Sequence, residues 1–158
     1  MFYIGCIVLL VVLEQTVKHA VKKNLEEGEK RLLFHGKIIL TRFHNKGAAF
    51  GKITKKPKTA RLISILALAA LAGVFFPVYF RKEHGILKSG TSLLAAGGIS
   101  NVLDRVRQGY VVDYISFPGK KGRKCPHYIY NMADFFIFSG VGLNLLSVFV
   151  EEKQRRLD

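Results

Sequence analysis

The stretch Gly97–Phe117, GGISNVLDRVRQGYVVDYISF, passes from an apolar helix-like pattern into alternating strand-like residues. Near the end of the helix-like part stand Asn101 and Asp104, which share one face because an α-helix turns once every ~3.6 residues. The same spacing recurs at Asn131 and Asp134, immediately before another apolar run. If both apolar runs cross a membrane, their joined ends lie on the same side. The sequence therefore predicts that Asp104 and Asp134 meet.

The spacing alone leaves a second arrangement open, in which the two aspartates are separate helix-end residues, each solvated or capping. A carboxylate at a helix start is stabilised by the helix dipole, so Asp134 alone would carry no special meaning. Asp104 lies at the C-terminal end of its predicted helix, where the dipole disfavours an anion, so the second arrangement fits it less well.

Apolar segments long enough to cross a bilayer, which takes ~20 residues, recur along the chain. Two of them are almost free of polar residues, which disfavours a soluble protein with buried helices. The first lacks the basic start and the cleavage site of a signal peptide, so we expect it to be retained. Strand formers in the first and third loops predict a small β-rich cap outside the membrane. We predict a single membrane domain, residues 1–158, with four transmembrane helices at residues 2–22, 62–80, 86–104 and 133–150.

The chain is strongly basic, with a formal net charge of +14. Basic proteins bind nucleic acid or anionic lipid surfaces. Because four spans are predicted and no Arg-aromatic RNA motif is present, we expect membrane lipids as partners and no nucleic acid. Cys6 and Cys125 are far apart and the sequence has no His-Glu-x-x-His, so we expect no metal and no cofactor.

Two opposite charges interrupt the first predicted span. Glu14 and Lys18 are four residues apart with the acid first, the better orientation for an ion pair on a helix. Unpaired charges are costly inside a bilayer. We therefore predict that Glu14 and Lys18 form a structural ion pair.

Four blocks, taken in chain order, resemble the motifs of lipoprotein signal peptidase, also called signal peptidase II. Glu14–Lys18 resembles the Asp-Gln-x-x-Lys of that family's first helix, and Asn45–Gly51 resembles its Asn-x-Gly-Ala-Ala-Phe block. The opening stretch resembles Gly-x-x-Gly-Asn-x-x-Asp-Arg followed by Gly-x-Val-x-Asp-Phe. Tyr130–Asp134 resembles Phe-Asn-x-Ala-Asp. With the four spans, the resemblance covers nearly the whole chain.

The resemblance implies an intramembrane aspartyl endopeptidase that removes signal peptides from prolipoproteins, cutting before a diacylglyceryl-modified cysteine. The catalytic pair it implies is Asp104 and Asp134, two carboxyls that would share one proton and act as acid and base. Asp113, in the strand-like run, is expected to anchor its loop. The residues implied to line the site and position peptide or lipid are Asn45, Asn101, Arg105 and Asn131.

The chain departs from the family's pattern at several places. Glu14 stands where the family has Asp, Ser100 where it has Gly, and Tyr130 where it has Phe. A lysine-rich insert at residues 120–124 lengthens the last external loop. We expect these changes to affect substrate preference more than chemistry, in a protein that acts as a monomer on lipid-modified prolipoproteins.

Two signals disagree about sidedness. The loops predicted to carry the site hold 12 Lys and Arg in residues 22–61 and 6 in residues 105–124, against 6 on the opposite side. The positive-inside rule would place these loops in the cytoplasm. The family resemblance implies a multi-pass protein of the cytoplasmic membrane with its active site facing the outer side. We follow the resemblance, because its ordered motifs are the more specific signal.

The sequence leaves two other functions open. Acidic residues within a membrane often mark proton paths, so a proton-coupled carrier is one alternative. The absence of an inverted repeat in the sequence disfavours it. A non-catalytic binder of lipidated peptides, which keeps the aspartates for structure, is the other.

Overall fold

The computed structural model describes residues 1–47, 54–80, 85–118 and 128–156. The lysine-rich insert and Cys125 lie outside the described residues. The described residues form four helices and four short strands, with the strands in two consecutive pairs between helices, as predicted for a helical membrane protein with a small β-rich cap. In chain order the elements are α1 (Phe2–Asn24), β1 (Lys30–Leu33), β2 (Ile38–Asn45), α2 (Pro57–Phe80), α3 (Gly85–Gln108), β3 (Val111–Ser116), β4 (Ile129–Tyr130) and α4 (Met132–Arg155).

Three of the described helices, α1, α2 and α4, are long and apolar enough to cross a membrane. α3 has the same 24-residue length as α2 and α4 but is less apolar. It packs against all three other helices, so its small and polar side chains face protein rather than lipid. Its crossing as the fourth span remains a prediction. Its buried residues include Gly90, Thr91, Ser92, Ala95, Ala96, Gly97 and Ser100.

The closest helix packing in the bundle is between α3 and α4. A Cβ added at Gly97 would lie 2.7 Å from Cγ1 of Ile137, and one added at Gly140 would lie 2.6 Å from the carbonyl oxygen of Gly90. Only glycine permits backbones to approach so closely. This contact holds the start of α4 beside the polar end of α3.

The strands form one antiparallel sheet in the order β1-β2-β3-β4. β3 is the most buried strand, and its Val112 and Tyr114 pack against Val21 of α1. The register pairs Asn45 with Val111 and Phe43 with Asp113. Because β4 pairs with β3 and leads directly into α4, the sheet brings the middle of β3 next to the start of α4.

Candidate active site

Asp134 is fixed at the start of α4 by a reciprocal pair of hydrogen bonds with Asn131. The Asp134 backbone N–H donates to Oδ1 of Asn131 at 3.0 Å, and the Asn131 backbone N–H donates to Oδ2 of Asp134 at 3.1 Å. This exchange is the arrangement of a capping box, with Asn and Asp in place of Ser and Glu. The carboxylate therefore sits where the helix dipole stabilises an anion.

Asn101 links three helices at this point. Its Nδ2 donates to Oδ1 of Asp134 at 3.2 Å. Its Oδ1 accepts from Lys18 Nζ at 3.0 Å and from Asn131 Nδ2 at 3.3 Å. The two predicted asparagines therefore do contact each other and Asp134.

Asp113 reaches the same place from β3. Its Oδ2 accepts from Asn45 Nδ2 at 2.9 Å, and its Oδ1 accepts from Asn131 Nδ2 at 2.7 Å. The residue is 2% exposed. Burial, and after it the charge of Asp134, raises the pKa of Asp113 to about 7. Asp113 therefore holds its proton far more readily than an ordinary carboxyl.

Asp104 has different partners. Its Oδ2 lies 2.9 Å from Nζ of Lys18 and accepts from the Val112 backbone N–H at 3.2 Å. Its Oδ1 accepts from Gln15 Nε2 at 3.1 Å. Asp104 is thus committed to an ion pair between α1 and α3.

A cavity of about 440 Å³ opens between α2, α3, α4 and the sheet. Its wall is mainly apolar and includes leucine, isoleucine, valine and alanine side chains from the three helices. Asp104 does not line this cavity; it lines a separate polar cavity of about 420 Å³ against α1. The Asp104–Asp134 pair remains a prediction that this geometry does not favour. The polar groups of the first cavity include Asn45, Asn101, Arg105, Asp113 and Asp134.

Arg105 joins the first loop to α3 at the edge of the first cavity. One guanidinium nitrogen donates to the Gly47 carbonyl at 3.0 Å and the other to the Asn101 carbonyl at 3.4 Å. Asn45 supports the same loop, because its Oδ1 accepts from the Gly47 backbone N–H at 3.1 Å. Within the described residues, Nε of Arg105 is buried without a hydrogen-bond partner.

Glu14 and Lys18 belong to a larger network than the predicted pair. Lys18 Nζ lies 3.5 Å from Oε1 of Glu14 and is shared with Asp104. Oε2 of Glu14 accepts from the Tyr114 hydroxyl at 2.7 Å, and that hydroxyl accepts from the Met132 backbone N–H at 3.2 Å. Burial and the Glu14 carboxylate raise the pKa of Tyr114, so its hydroxyl stays a donor.

Sequence reasoning underestimated Asp113 and did not single out Gln15 or Tyr114. The sequence around Asp113 held a signal of its burial. A carboxylate between valine and tyrosine, in a strand of mostly apolar residues, is expected to be buried, and a buried carboxylate needs hydrogen-bond partners. Alternation along β3 also puts Tyr114 on the opposite face from Asp113, toward α1.

Known proteins match this chain along nearly its whole length. The family model for Signal peptidase (SPase) II matches residues 6–150. The lipoprotein signal peptidase of Clostridioides difficile (strain 630) is 35% identical over 159 residues, covering 98% of this chain and 100% of that protein. That of Clostridium tetani (strain Massachusetts / E88) is 34% identical, covering 92% of this chain and 91% of that protein.

A solved structure of a bacterial membrane enzyme, obtained by the in meso method at 2.3 Å resolution, has the same fold. Its TM-score is 0.79 at 27% identity, over 97% of this chain and 90% of that one. Family match, relatives and fold agree with the carboxyl-lined cavity between membrane helices. The chain therefore belongs to the signal peptidase II family, multi-pass membrane aspartic peptidases with lipoprotein signal peptidase function.

Proposed function

We propose that the chain cuts prolipoproteins immediately before a diacylglyceryl-modified cysteine and that Asp113 and Asp134 are its catalytic pair. One observation carries the choice of pair. Both carboxyls line the same cavity, and both are hydrogen-bonded to one residue, Asn131, through its side chain and its backbone respectively. This choice replaces the Asp104 that the resemblance implies.

The surroundings of the two carboxyls suit acid and base roles. Asp113, with its pKa raised to about 7, keeps a proton that can polarise the scissile carbonyl. Asp134 accepts hydrogen bonds from the Asn101 side chain and the Asn131 backbone N–H, which orient its carboxyl for the role of base toward water. The proton belongs to the pair, so the two residues exchange roles as the tetrahedral intermediate collapses.

The rest of the cavity suits a lipidated substrate. Its apolar wall, formed by α2, α3 and α4, matches acyl chains, while its polar groups gather at the sheet. Asn45 and Arg105 lie at this polar side, where they would bind the peptide backbone or the glyceryl ester oxygens. Substrate binding would thus align the peptide with the carboxyl pair.

The test is single-turnover cleavage of a synthetic peptide carrying diacylglyceryl-cysteine, with the products weighed by mass spectrometry. Wild-type protein should release the peptide on the N-terminal side of the modified cysteine, and Asp134→Asn should not. The same peptide without the lipid should be a poor substrate. Tight binding without cleavage by the wild type would instead favour the non-catalytic binder; the proton-coupled carrier has no support from the family match.

We also propose that the active site faces the outer side of the cytoplasmic membrane. The ordered family motifs support this orientation, and the distribution of lysine and arginine opposes it. In a chain with Cys6 and Cys125 replaced by serine, Glu26→Cys should react with an impermeant thiol reagent in intact cells. Lys153→Cys, at the far end of α4, should react only after the membrane is opened. The opposite labelling would place the site in the cytoplasm.

The functional unit is proposed to be a monomer. Sedimentation equilibrium in a density-matched detergent should give one chain per particle at concentrations where cleavage is complete. A dimer that loses activity on dilution would contradict this proposal.

A further inference from the structure

The tip of the β1–β2 hairpin exposes a run of apolar side chains. Leu32 and Phe34 are each 70% exposed and Leu33 is 39% exposed. β1 is an edge strand whose residues are all exposed. Single exposed apolar residues are common, but three in succession on a sheet edge form the kind of patch that marks an interaction surface. Edge strands ordinarily avoid such a patch.

The backbone at the hairpin tip adopts a conformation that is unusual for a bulky residue. Phe34 and His35 both have positive φ angles, 50° and 56°. The turn is closed by the Gly36 backbone N–H, which donates to the Leu33 carbonyl at 3.1 Å. Tight turns with two positive φ angles strongly prefer Asn and Gly, and a bulky aromatic is unfavourable there. The chain keeps Phe34 at an exposed and strained position, which indicates a role outside the fold.

Charge identifies the partner that this tip fits. Lys30 and Lys37, both exposed, flank the apolar residues, whereas Arg31 is already bonded to Glu29 and to the Asn24 carbonyl. The surrounding segment, residues 22–61, holds 12 Lys and Arg against 3 Glu and no Asp. Apolar and aromatic side chains rimmed by lysine are typical of protein segments that lie in the surface of an anionic membrane.

We propose that the hairpin tip anchors the sheet to the surface of the bilayer that holds the helices. Leu32 and Phe34 enter the head-group region, and Lys30 and Lys37 bind the phosphates of anionic phospholipids. The anchor holds the sheet, and with it β3, against the bilayer surface. The anchor also accounts for the excess of basic residues at this end of the protein, whether that end faces the cytoplasm or the outside.

The chain contains no tryptophan, so Phe34→Trp gives a fluorophore that reports on the tip alone. The full-length variant is placed in nanodiscs of phosphatidylcholine, with or without phosphatidylglycerol, carrying acyl chains brominated near the carbonyl end. In discs with phosphatidylglycerol we expect emission shifted to the blue and quenched at least twofold. A matched variant, Glu26→Trp in the exposed α1–β1 loop, should be quenched little. Adding Lys30→Glu and Lys37→Glu to Phe34→Trp should reduce the quenching.

Several outcomes would overturn the proposal. Unquenched emission in phosphatidylglycerol discs would show that the tip stays in water. Equal quenching with and without phosphatidylglycerol would remove the role of the lysines. A blue shift in detergent that grows with protein concentration would assign the tip to a second copy, and a shift only on adding the lipopeptide would assign it to substrate. Unchanged cleavage in detergent by Phe34→Trp verifies that the variant is folded.

Discussion

The carboxylates on the two sides of Asn101 have different kinds of partner. On the side of α1, Glu14 and Asp104 share the buried cation of Lys18. On the cavity side, Asp113 and Asp134 are held by amide groups, from asparagine side chains and the backbone of Asn131. Lys18 thus holds Glu14 and Asp104 in one buried ion network, whereas Asp113 and Asp134 line the cavity between α2, α3 and α4. We therefore propose that the catalytic aspartates are those on the cavity side of Asn101 and not the aspartate bound to Lys18.

The largest expected effect is a loss of stability when the ion network around Lys18 is broken. Lys18→Ala would leave Glu14 and Asp104 buried without their cation, which costs about 3–5 kcal/mol in comparable cases. Lys22→Ala is the matched control, because Lys22 lies one turn further along α1 and its Nζ donates to Oε1 of Gln108 at a partly exposed site; loss of this bond should cost under ~1 kcal/mol. Thermal unfolding in detergent measures both.

Neutralising the whole network checks that charge is the cause. A variant with Glu14→Gln, Lys18→Met and Asp104→Asn should recover much of the loss, because removing a buried ion network is far less costly than breaking it. Equal instability in this variant and in Lys18→Ala would mean that packing, and not the ion network, explains the result.

The second effect is a pH dependence of stability that comes from Asp113. Its pKa is about 7 in the folded chain against an ordinary 3.8, so the folded state binds the proton more tightly than the unfolded state. Its contribution to stability is therefore full below about pH 4 and declines as pH rises toward 7. Each pKa unit corresponds to ~1.4 kcal/mol, so the decline is on the order of a few kcal/mol.

Comparison with Asp113→Asn isolates this contribution. The free energy of unfolding of the wild type, measured in detergent from pH 4.5 to 8, should fall relative to that of Asp113→Asn as pH rises. Asp104→Asn makes the same substitution outside the cavity and is the matched control. Parallel curves for the wild type and Asp113→Asn would show that Asp113 is ionised throughout this range.

The smallest effect expected is from Tyr114, which ties the two sides together. Tyr114→Phe removes the donor to Glu14 and the acceptor for the Met132 N–H, and should cost about 1–3 kcal/mol. Because this hydroxyl joins β3 to the start of α4, the maximal cleavage rate should fall more than substrate affinity does. Tyr110→Phe, whose ring stacks on His44 at 4.0 Å, is the control and should change neither. A loss of stability with an unaltered cleavage rate would reduce Tyr114 to a structural role.

Patterns within one segment of the sequence predicted the features that depend on neighbouring residues. Helical spacing predicted that Glu14 lies next to Lys18, and this contact is present. Apolar runs, two of them interrupted by charged residues, predicted the helices, although α3 continues to Gln108, one turn beyond the predicted end, and stops before Gly109 at a φ of 82°. Such features depend on residues within one or two turns of each other.

The choice between Asp104 and Asp113 depends on contacts between distant parts of the chain. Lys18 reaches Asp104 from another helix, and the register of β3 against β2 and β4 turns Asp113 toward Asn131. Neither the third partner of an ion pair nor a strand register follows from spacing within one segment. The sequence therefore predicted the group of polar residues, but both helical spacing and the resemblance paired Asp134 with Asp104.

The most direct test of the proposed pair is a comparison of single-turnover cleavage rates for Asp113→Asn and Asp104→Asn. Both variants make the same change, and the rates are measured on the diacylglyceryl-cysteine peptide at a temperature where both are folded. The proposed pair predicts a loss of about 10²–10⁴-fold or more for Asp113→Asn. Asp104→Asn should stay within about tenfold of the wild type. A fully active Asp113→Asn beside an inactive Asp104→Asn would contradict the account and restore Asp104 as the partner of Asp134.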